Sequence, residues 1–362
     1  MQKLLTALIA LTLLPAALAG CGEGAKERSS QGIGQQGGSP SGGGGGGGGG
    51  TLRVALPTGQ TSFANVDVVV ADKKGFFAKQ GVKVSTQNFG SGLKSVQAVI
   101  AGGTDIGASS IEPVAAAAAR NQDVKVIAPY ADRLTVNVTT PGSIRGVADL
   151  KGKPVGIQDV GAFREIMVRY VLSRSGMTDD DVKYRPVAAN GYVNALVAGQ
   201  IDAAVLQPEQ YYTVKEHKPD FHSVADLYRL QPNYFYGTYF VSGKWLKSHR
   251  EEATAFATAL MEAHRFMYRN KAETVKIAAE ATGVDAKSTS RAYDVLLAEN
   301  KVFPVDAGLD QSRITYTLGQ LEKLKTLSGE APAYGDFVDA GPGRAAEQKL
   351  GPAPERGTAG GR

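Results

Sequence analysis

The chain has 362 residues, 43% of them apolar, with 40 Lys and Arg against 35 Asp and Glu for a net charge of +5. That mild, evenly spread excess offers no Lys/Arg block to track a phosphate backbone, so nucleic acid is not an expected partner. A single cysteine excludes a disulfide framework, and His217, His222, His249 and His264 lack zinc-type spacing with acids or cysteine, so no metal or other cofactor is expected.

The first predicted element is a leader. Lys3 precedes an apolar run over 4–14 and a small-residue stretch. That run is too short to span a bilayer and has the flanks of a signal peptide, placed at 1–20. It closes on Leu18-Ala19-Gly20-Cys21, which resembles the bacterial lipobox, whose cysteine takes a diacylglycerol and becomes the mature N-terminus. The resemblance implies lipidation at Cys21 and attachment to a bacterial membrane from outside the cytoplasm, since two or more acyl chains at about 0.8 kcal/mol per buried CH₂ anchor stably. Residues 21–50 are rich in Gly, Ser and Gln and end in an unbroken run from Gly42 to Gly50. Such a segment cannot bury enough apolar surface to offset chain entropy. It reads as a tether of roughly 30 Å r.m.s. span.

The next 300 or so residues are too many for one small core and predict two lobes of an α/β fold. Strand-like and helix-like segments alternate: a strand over 52–56, a helix over 66–80, a strand over 82–86, a helix over 94–101, a short buried strand over 105–108, an alanine-dense helix over 113–120 and a strand over 124–128. The order resumes with a strand over 154–157, a helix over 162–175 and a strand over 182–187. This βαβα succession predicts mostly parallel sheets flanked by helices. Beyond Tyr239 the pattern turns helical, with Phe256, Leu260, Ala263 and Met267 at core-facing spacing and Leu318, Leu321 and Leu324 repeating it. His264 falls within that pattern and reads as structural.

Residues 98–112 (AVIAGGTDIGASSIE) and 195–209 (ALVAGQIDAAVLQPE) echo each other at a shift of 97, with Ala98, Ala101, Gly102, Asp105 and Glu112 matching Ala195, Ala198, Gly199, Asp202 and Glu209. Each copy reads as a helix closed by glycine, a turn, a buried strand and a polar loop. Ligands of open α/β sheets bind beyond such strand ends, so two copies imply two lobes facing one cleft.

Several segments line up with one family. Gly75-Phe76-Phe77-Ala78-Lys79-Gln80-Gly81-Val82-Lys83-Val84 and Ala148-Asp149-Leu150-Lys151-Gly152-Lys153-Pro154-Val155-Gly156 resemble motifs of solute-binding proteins of the nitrate/sulfonate/taurine and thiamine-precursor type, and the two Ala-Gly-x-x-Asp units resemble its helix-to-strand turn. The resemblance covers residues 51 to about 345. It implies a two-lobed type II periplasmic-binding-protein fold with two hinge crossovers, near 134–139 and 236–241. Lobe 1 then takes 51–134 and 240–345, lobe 2 takes 135–239, and 346–362 is left as a flexible tail. It also implies a monomer that hands a small-molecule ligand to the permease subunits of an ABC importer.

A cleft that closes on its ligand draws contacts from the loops at strand C-termini. In lobe 1 these offer Gln60, Ser62, Phe63, Ser91, Gly92, Ser109 and Ser110. In lobe 2 they offer Gly161, Ala162, Phe163, Asn190, Gln207 and Glu209, with Tyr236 beside the second crossover. The segments 90–92 and 161–162 each precede a helix, whose free N–H groups and dipole suit an anion. Ser91 is equally suited to cap its helix. Arg164 is a candidate anion partner whose direction on its helix is open. Glu112 and Glu209 occupy matching positions, but no nucleophile motif, metal cluster or phosphate loop accompanies them, so an enzyme is not expected. The pyrimidine-making relatives implied by the resemblance use a histidine and a cysteine-rich motif, and here the sole cysteine is assigned to lipid. A sulfonate-, taurine- or nitrate-like solute is the leading expectation. A pyrimidine thiamine precursor or an aromatic carboxylate comes second, and an extracytoplasmic α/β enzyme or a sensor lipoprotein is the reading of a different class.

Overall fold

Strand β1 (Thr51–Leu56) alternates exposed and buried residues and then buries Val54, Ala55 and Leu56 in succession. It pairs in parallel with β2 (Lys83–Asn88) on one side and β3 (Ile106–Ser110) on the other. Beyond β3 lie β10 (Gly237–Val241), antiparallel, and β4 (Lys125–Ala131), giving the order β2-β1-β3-β10-β4. The second sheet repeats the plan. Strand β6 (Pro154–Ile157) pairs in parallel with β7 (Lys183–Pro186) and β8 (Ala203–Leu206), and β5 (Asn137–Thr140) lies antiparallel between β8 and β9 (His222–Asp226), giving β7-β6-β8-β5-β9. The third strands, β3 and β8, are wholly buried, while the edges β2 and β7 are mostly exposed, as expected where helices cover both faces of a sheet's middle. The fold is therefore two-lobed α/β. The structure, a computed structural model, describes residues 50–58 and 62–356. The expected leader, Cys21 and the 21–49 part of the tether lie outside them, as do Gln60 and residues 357–362.

The chain passes from the first sheet to the second between Ala131 and Asn137, and returns between Leu230 and Gly237. Residues 137–139 and 237–241, assigned to the crossovers on sequence, are themselves paired in β5 and β10. Val138, Thr139, Tyr239 and Phe240 are fully buried in those ladders, in keeping with the β-rich character of both runs. The helix expected over 66–80 is broken: it runs Val66–Lys73, stops at a left-handed Gly75 and restarts over Phe76–Lys79.

The helix Arg250–Arg269 buries Phe256, Leu260, Ala263 and Met267 against the first lobe, with Phe256 stacked on Phe77 at 5.5 Å. Beneath it His264 joins a buried polar network. Its Nε2 lies 3.1 Å from Asp67, its Nδ1 2.6 Å from the Pro304 carbonyl, and Tyr239 donates to Asp67 at 2.8 Å. The stretch 346–362, assigned as a flexible tail, begins within a helix. Helix Gly341–Leu350 packs on Arg250–Arg269, Arg265 donates to the carbonyls of Leu350 and Gly351, and Arg356 pairs with Asp132. Buried donors and the fully buried Ala346 hold a segment whose Gly/Pro content had signalled fraying. Among the described residues no helix is long and apolar enough to cross a membrane.

Candidate functional site

Strands β1, β3, β6 and β8 all end at the boundary between the lobes. Thr58 and Ser110 from the first lobe and Gln158 and Gln207 from the second line an inner cavity of about 40 Å³, with Tyr130, Phe163 and Tyr236 as its aromatic wall. An outer cavity of about 220 Å³ continues it. Asn190, Asn194, Glu209 and Thr213 line it from the second lobe, and residues 282–284 from the first. Thr58, Ser62 and Arg164 belong to both walls. The inner space takes only a compact group, and anything larger extends outward. At the cleft, hydrogen bonds cross the boundary: Gln158 Nε2 donates to the Gly90 carbonyl at 2.8 Å, and the Phe63 N–H donates to Glu209 Oε1 at 3.1 Å. The lobes are thus in contact, with the cavities between them.

Arg164 occupies the first turn of helix Phe163–Arg174, where the helix dipole disfavours a cation. It is nevertheless 4% exposed. Its Nε donates to Gln158 Oε1 and its Nη2 to Gln210 Oε1, each at 3.1 Å, and its Nη1 to the Val205 carbonyl. The guanidinium lies 4.3 Å from the centre of the Tyr192 ring. Every one of these partners is uncharged, and among the described residues no carboxylate pairs with it. A second positive feature comes from backbone. Gly92 at the start of helix Gly92–Ile100 and Ala162 at the N-cap of Phe163–Arg174 both line the inner cavity, so two helix N-termini from opposite lobes converge there.

Buried polar atoms without a partner are uncommon and costly, at about 1–3 kcal/mol each. Three line these cavities: Asn65 Nδ2, Gln207 Oε1 and Glu209 Oε2 have no hydrogen-bond partner among the described residues. Burial pushes the Glu209 carboxyl above its ordinary range, against the opposing pull of the Phe63 N–H and the Arg164 charge. Burial likewise pushes the Tyr236 phenol up to about 12. The wall can therefore donate strongly from Arg164 and accept from Glu209 and Gln207, and it is apolar along the Phe163–Tyr236 pair, whose rings are 4.6 Å apart.

The structure brings together Ser62, Gly92, Ser110, Ala162, Phe163, Asn190, Gln207, Glu209 and Tyr236. It places others behind the wall. Ser91 caps its helix by accepting from the Lys94 N–H, and Ser109 is buried beneath Gly92. Gly161 directs its N–H to Glu165, and the Phe63 ring is fully buried, leaving only its backbone at the cleft. Glu112 lies behind the inner cavity, bonded to the Tyr234 hydroxyl. Sequence reasoning did not place Gln158, Tyr130, Asn65, Gln210 or residues 282–284 in the wall. For Arg164 the available signal was a cation in the first turn of an otherwise buried helix, which runs against the helix dipole and calls for an anion to offset it.

A family model described as NMT1/THI5 like matches residues 62–274, more than half of the chain. The chain belongs to the NMT1/THI5-like family. Among curated relatives, a Brucella abortus protein named as a putative binding protein is 29% identical over 217 residues, covering 60% of this chain and 67% of that one. The 4-amino-5-hydroxymethyl-2-methylpyrimidine phosphate synthase of Uromyces fabae is 28% identical over 211 residues, covering 54% and 61% respectively. In three dimensions the alkanesulfonate-binding protein SsuA of Xanthomonas axonopodis pv. citri, solved with MOPS bound, superposes with a TM-score of 0.66 at 19% identity, over 80% of this chain and 98% of that one. That likeness establishes the periplasmic-binding-protein fold.

Proposed function

We propose that this protein is an extracytoplasmic solute-binding lipoprotein, anchored through Cys21, that delivers a small organic anion or zwitterion of the sulfonate or taurine kind to an ABC importer. The observation that carries the reading is Arg164: a buried guanidinium bonded only to uncharged acceptors, between two cavities and beside two converging helix N-termini. A sulfonate or carboxylate supplies the missing charge, and an ammonium end would meet the unpaired Glu209 Oε2. The similarity to a protein solved as a sulfonate-binding component supports the same assignment. Binding without turnover is favoured over synthase chemistry because the chain has one cysteine, at position 21 in the lipobox-like tetrad. The aromatic wall of Tyr130, Phe163 and Tyr236 favours a second reading, a pyrimidine thiamine precursor.

Thermal unfolding with taurine, ethanesulfonate, nitrate and 4-amino-5-hydroxymethyl-2-methylpyrimidine separates these readings. At 100 times its Kd a ligand adds about 2.7 kcal/mol to stability. Taurine or ethanesulfonate is expected to raise the melting temperature of the wild type, and Arg164→Met is expected to weaken that binding about 100-fold. Stabilisation by the pyrimidine alone, equal in both proteins, overturns the anion assignment.

A further inference from the structure

The helix Pro208–His217 has a cavity on each side. Glu209, Gln210 and Thr213 face the cleft, whereas Pro208, Tyr211 and Tyr212 face a second cavity of about 320 Å³. Tyr228 and Asp226, at the end of β9, continue its second-lobe wall, and Asn137 lies where the chain enters that lobe. The opposite wall comes from the first lobe, through Val295, Glu299 and Asn300. This space therefore lies between the lobes, like the cleft, but on the far face of one helix.

Its first-lobe wall has unusual backbone. Residues Asp294–Glu299 form a π-helical turn, closed by a bond from the Asn300 N–H to the Val295 carbonyl at 3.1 Å and a second from the Asn300 side chain at 2.8 Å. Lys301 then turns left-handed at φ 50°. Such π turns are rare and recur at functional sites.

The electrostatics of the cavity are one-sided. Arg229 is paired with Asp226 at 3.4 Å, and Arg291, which lies over the Tyr212 ring, is paired with Glu216 at 3.0 Å. Among the described residues no cation pairs with Glu299, whose charge adds to burial in raising the Tyr212 phenol. Within the cavity's own lining Asp226 and Arg229 offset each other, and Glu299 is left without a paired cation beside three half-buried tyrosines, with the Tyr211 and Tyr212 rings 5.3 Å apart. Carboxylate and π-electron density both attract a cation and repel an anion, and ring surface favours a cation that carries carbon.

We propose that this cavity is a second ligand site, taking a small organic ammonium ion held by Glu299 and the rings of Tyr211, Tyr212 and Tyr228. The assignment goes beyond the solute-binding reading and does not depend on which solute occupies the cleft. Because its walls come from both lobes, an occupant here contacts both and stabilises the arrangement that brings them together. The site thus couples an ammonium compound to the closure of the cleft.

Isothermal titration of the full chain with choline and with tetramethylammonium tests this. One-to-one saturable binding is expected, weakened about tenfold in Glu299→Gln. The same direction is expected in Tyr228→Leu, and Glu209→Gln, which reaches the site only through closure of the cleft, is expected to weaken the probe less than Glu299→Gln does. Circular dichroism melts confirm that each variant is folded. Absence of saturable binding by either probe overturns the proposal. So does binding that survives Glu299→Gln and is lost in Glu209→Gln, since that places the probe in the cleft.

Discussion

The two echoed segments share their backbone and divide in their side chains. Gly102 and Gly199 both adopt left-handed φ, at 72° and 68°, to close their helices. The next residue bonds back in the same way, Gly103 to the Ala98 carbonyl at 2.8 Å and Gln200 to the Ala195 carbonyl at 2.9 Å. The aspartate N–H groups then meet the strand beside the buried one in each sheet, Asp105 at Arg53 in β1 and Asp202 at Pro154 in β6. After the buried strand the two glutamates part. Glu112 accepts from Tyr234, in the segment that returns to the first lobe, while Glu209 reaches across to the Phe63 N–H. A repeated scaffold fixes where a carboxylate begins, and the neighbouring side chains decide whether it braces a lobe or joins two. The same division holds for the other buried charges: the Asp67–His264 pair lies inside the first lobe, and Arg164 stands at the cleft.

The largest expected effect falls on the bracing side. Asp67 accepts from the Tyr239 hydroxyl and lies 3.1 Å from His264 Nε2, whose Nδ1 lies 2.6 Å from the Pro304 carbonyl. Asp67→Ala leaves the Tyr239 hydroxyl and His264 Nε2 buried without their shared partner beside a new cavity, and urea denaturation is expected to show a loss of about 3–5 kcal/mol. Solute affinity is expected to hold. A loss below about 1 kcal/mol would reduce the network to an ordinary hydrogen bond and weaken the contrast between the lobes.

The two glutamates give the sharper test. Glu112→Ala leaves the Tyr234 hydroxyl unpaired in a new cavity and is expected to cost about 2–3 kcal/mol of stability with solute affinity unchanged. Glu209→Gln is expected to weaken the solute about tenfold while leaving the unliganded protein near wild-type stability. Exchanged outcomes would break the comparison. Burial raises both carboxyls above their ordinary value of 4.5, so above that pH the native state holds more protons than the unfolded chain. The corresponding stability is complete below 4.5 and is lost as pH rises through the raised native values. Glu112→Gln should flatten that decline, as read from melting temperature against pH.

The fold was legible where local rules govern. Apolar runs bounded by Gly and Pro marked the strands, and the echo at a shift of 97 anticipated that β3 and β8 occupy matching places in their sheets. The cleft was legible as a set of loops, because strand C-termini locate a site without fixing side-chain direction. That is why Ser91, Ser109 and Gly161 were drawn in alongside Ser110 and Ala162, although they turn to a cap, the core and a neighbouring carboxylate. Residues 282–284 carry no local mark of a binding wall. Only the packing of the late helices onto the first lobe brings them to Glu209. The C-terminal segment misled for a related reason: its composition signals fraying, and the donors that hold it, Arg265 and Arg356, answer partners far away in sequence.

The smallest expected effect concerns how closure at Glu209 is held further along the same helix. Glu216 lies seven residues on, about 10 Å along the axis at 1.5 Å per residue. It meets Lys287 and Arg291 of helix Ala286–Tyr293, each at 3.0 Å, so one rigid helix carries a contact to the first lobe at each end. The side chains are 36%, 64% and 45% exposed for Glu216, Lys287 and Arg291, which limits what the pair contributes to less than about 1 kcal/mol. Glu216→Gln is therefore expected to speed solute release by a factor of about five at most in stopped-flow measurements at low salt. In about 1 M salt, where screening acts within roughly 3 Å, wild type and variant should converge. A difference that persists there would mean that packing between the two helices, rather than charge, keeps the lobes together at this end, and the division between bracing and bridging groups would then rest on Glu209 and Arg164 alone.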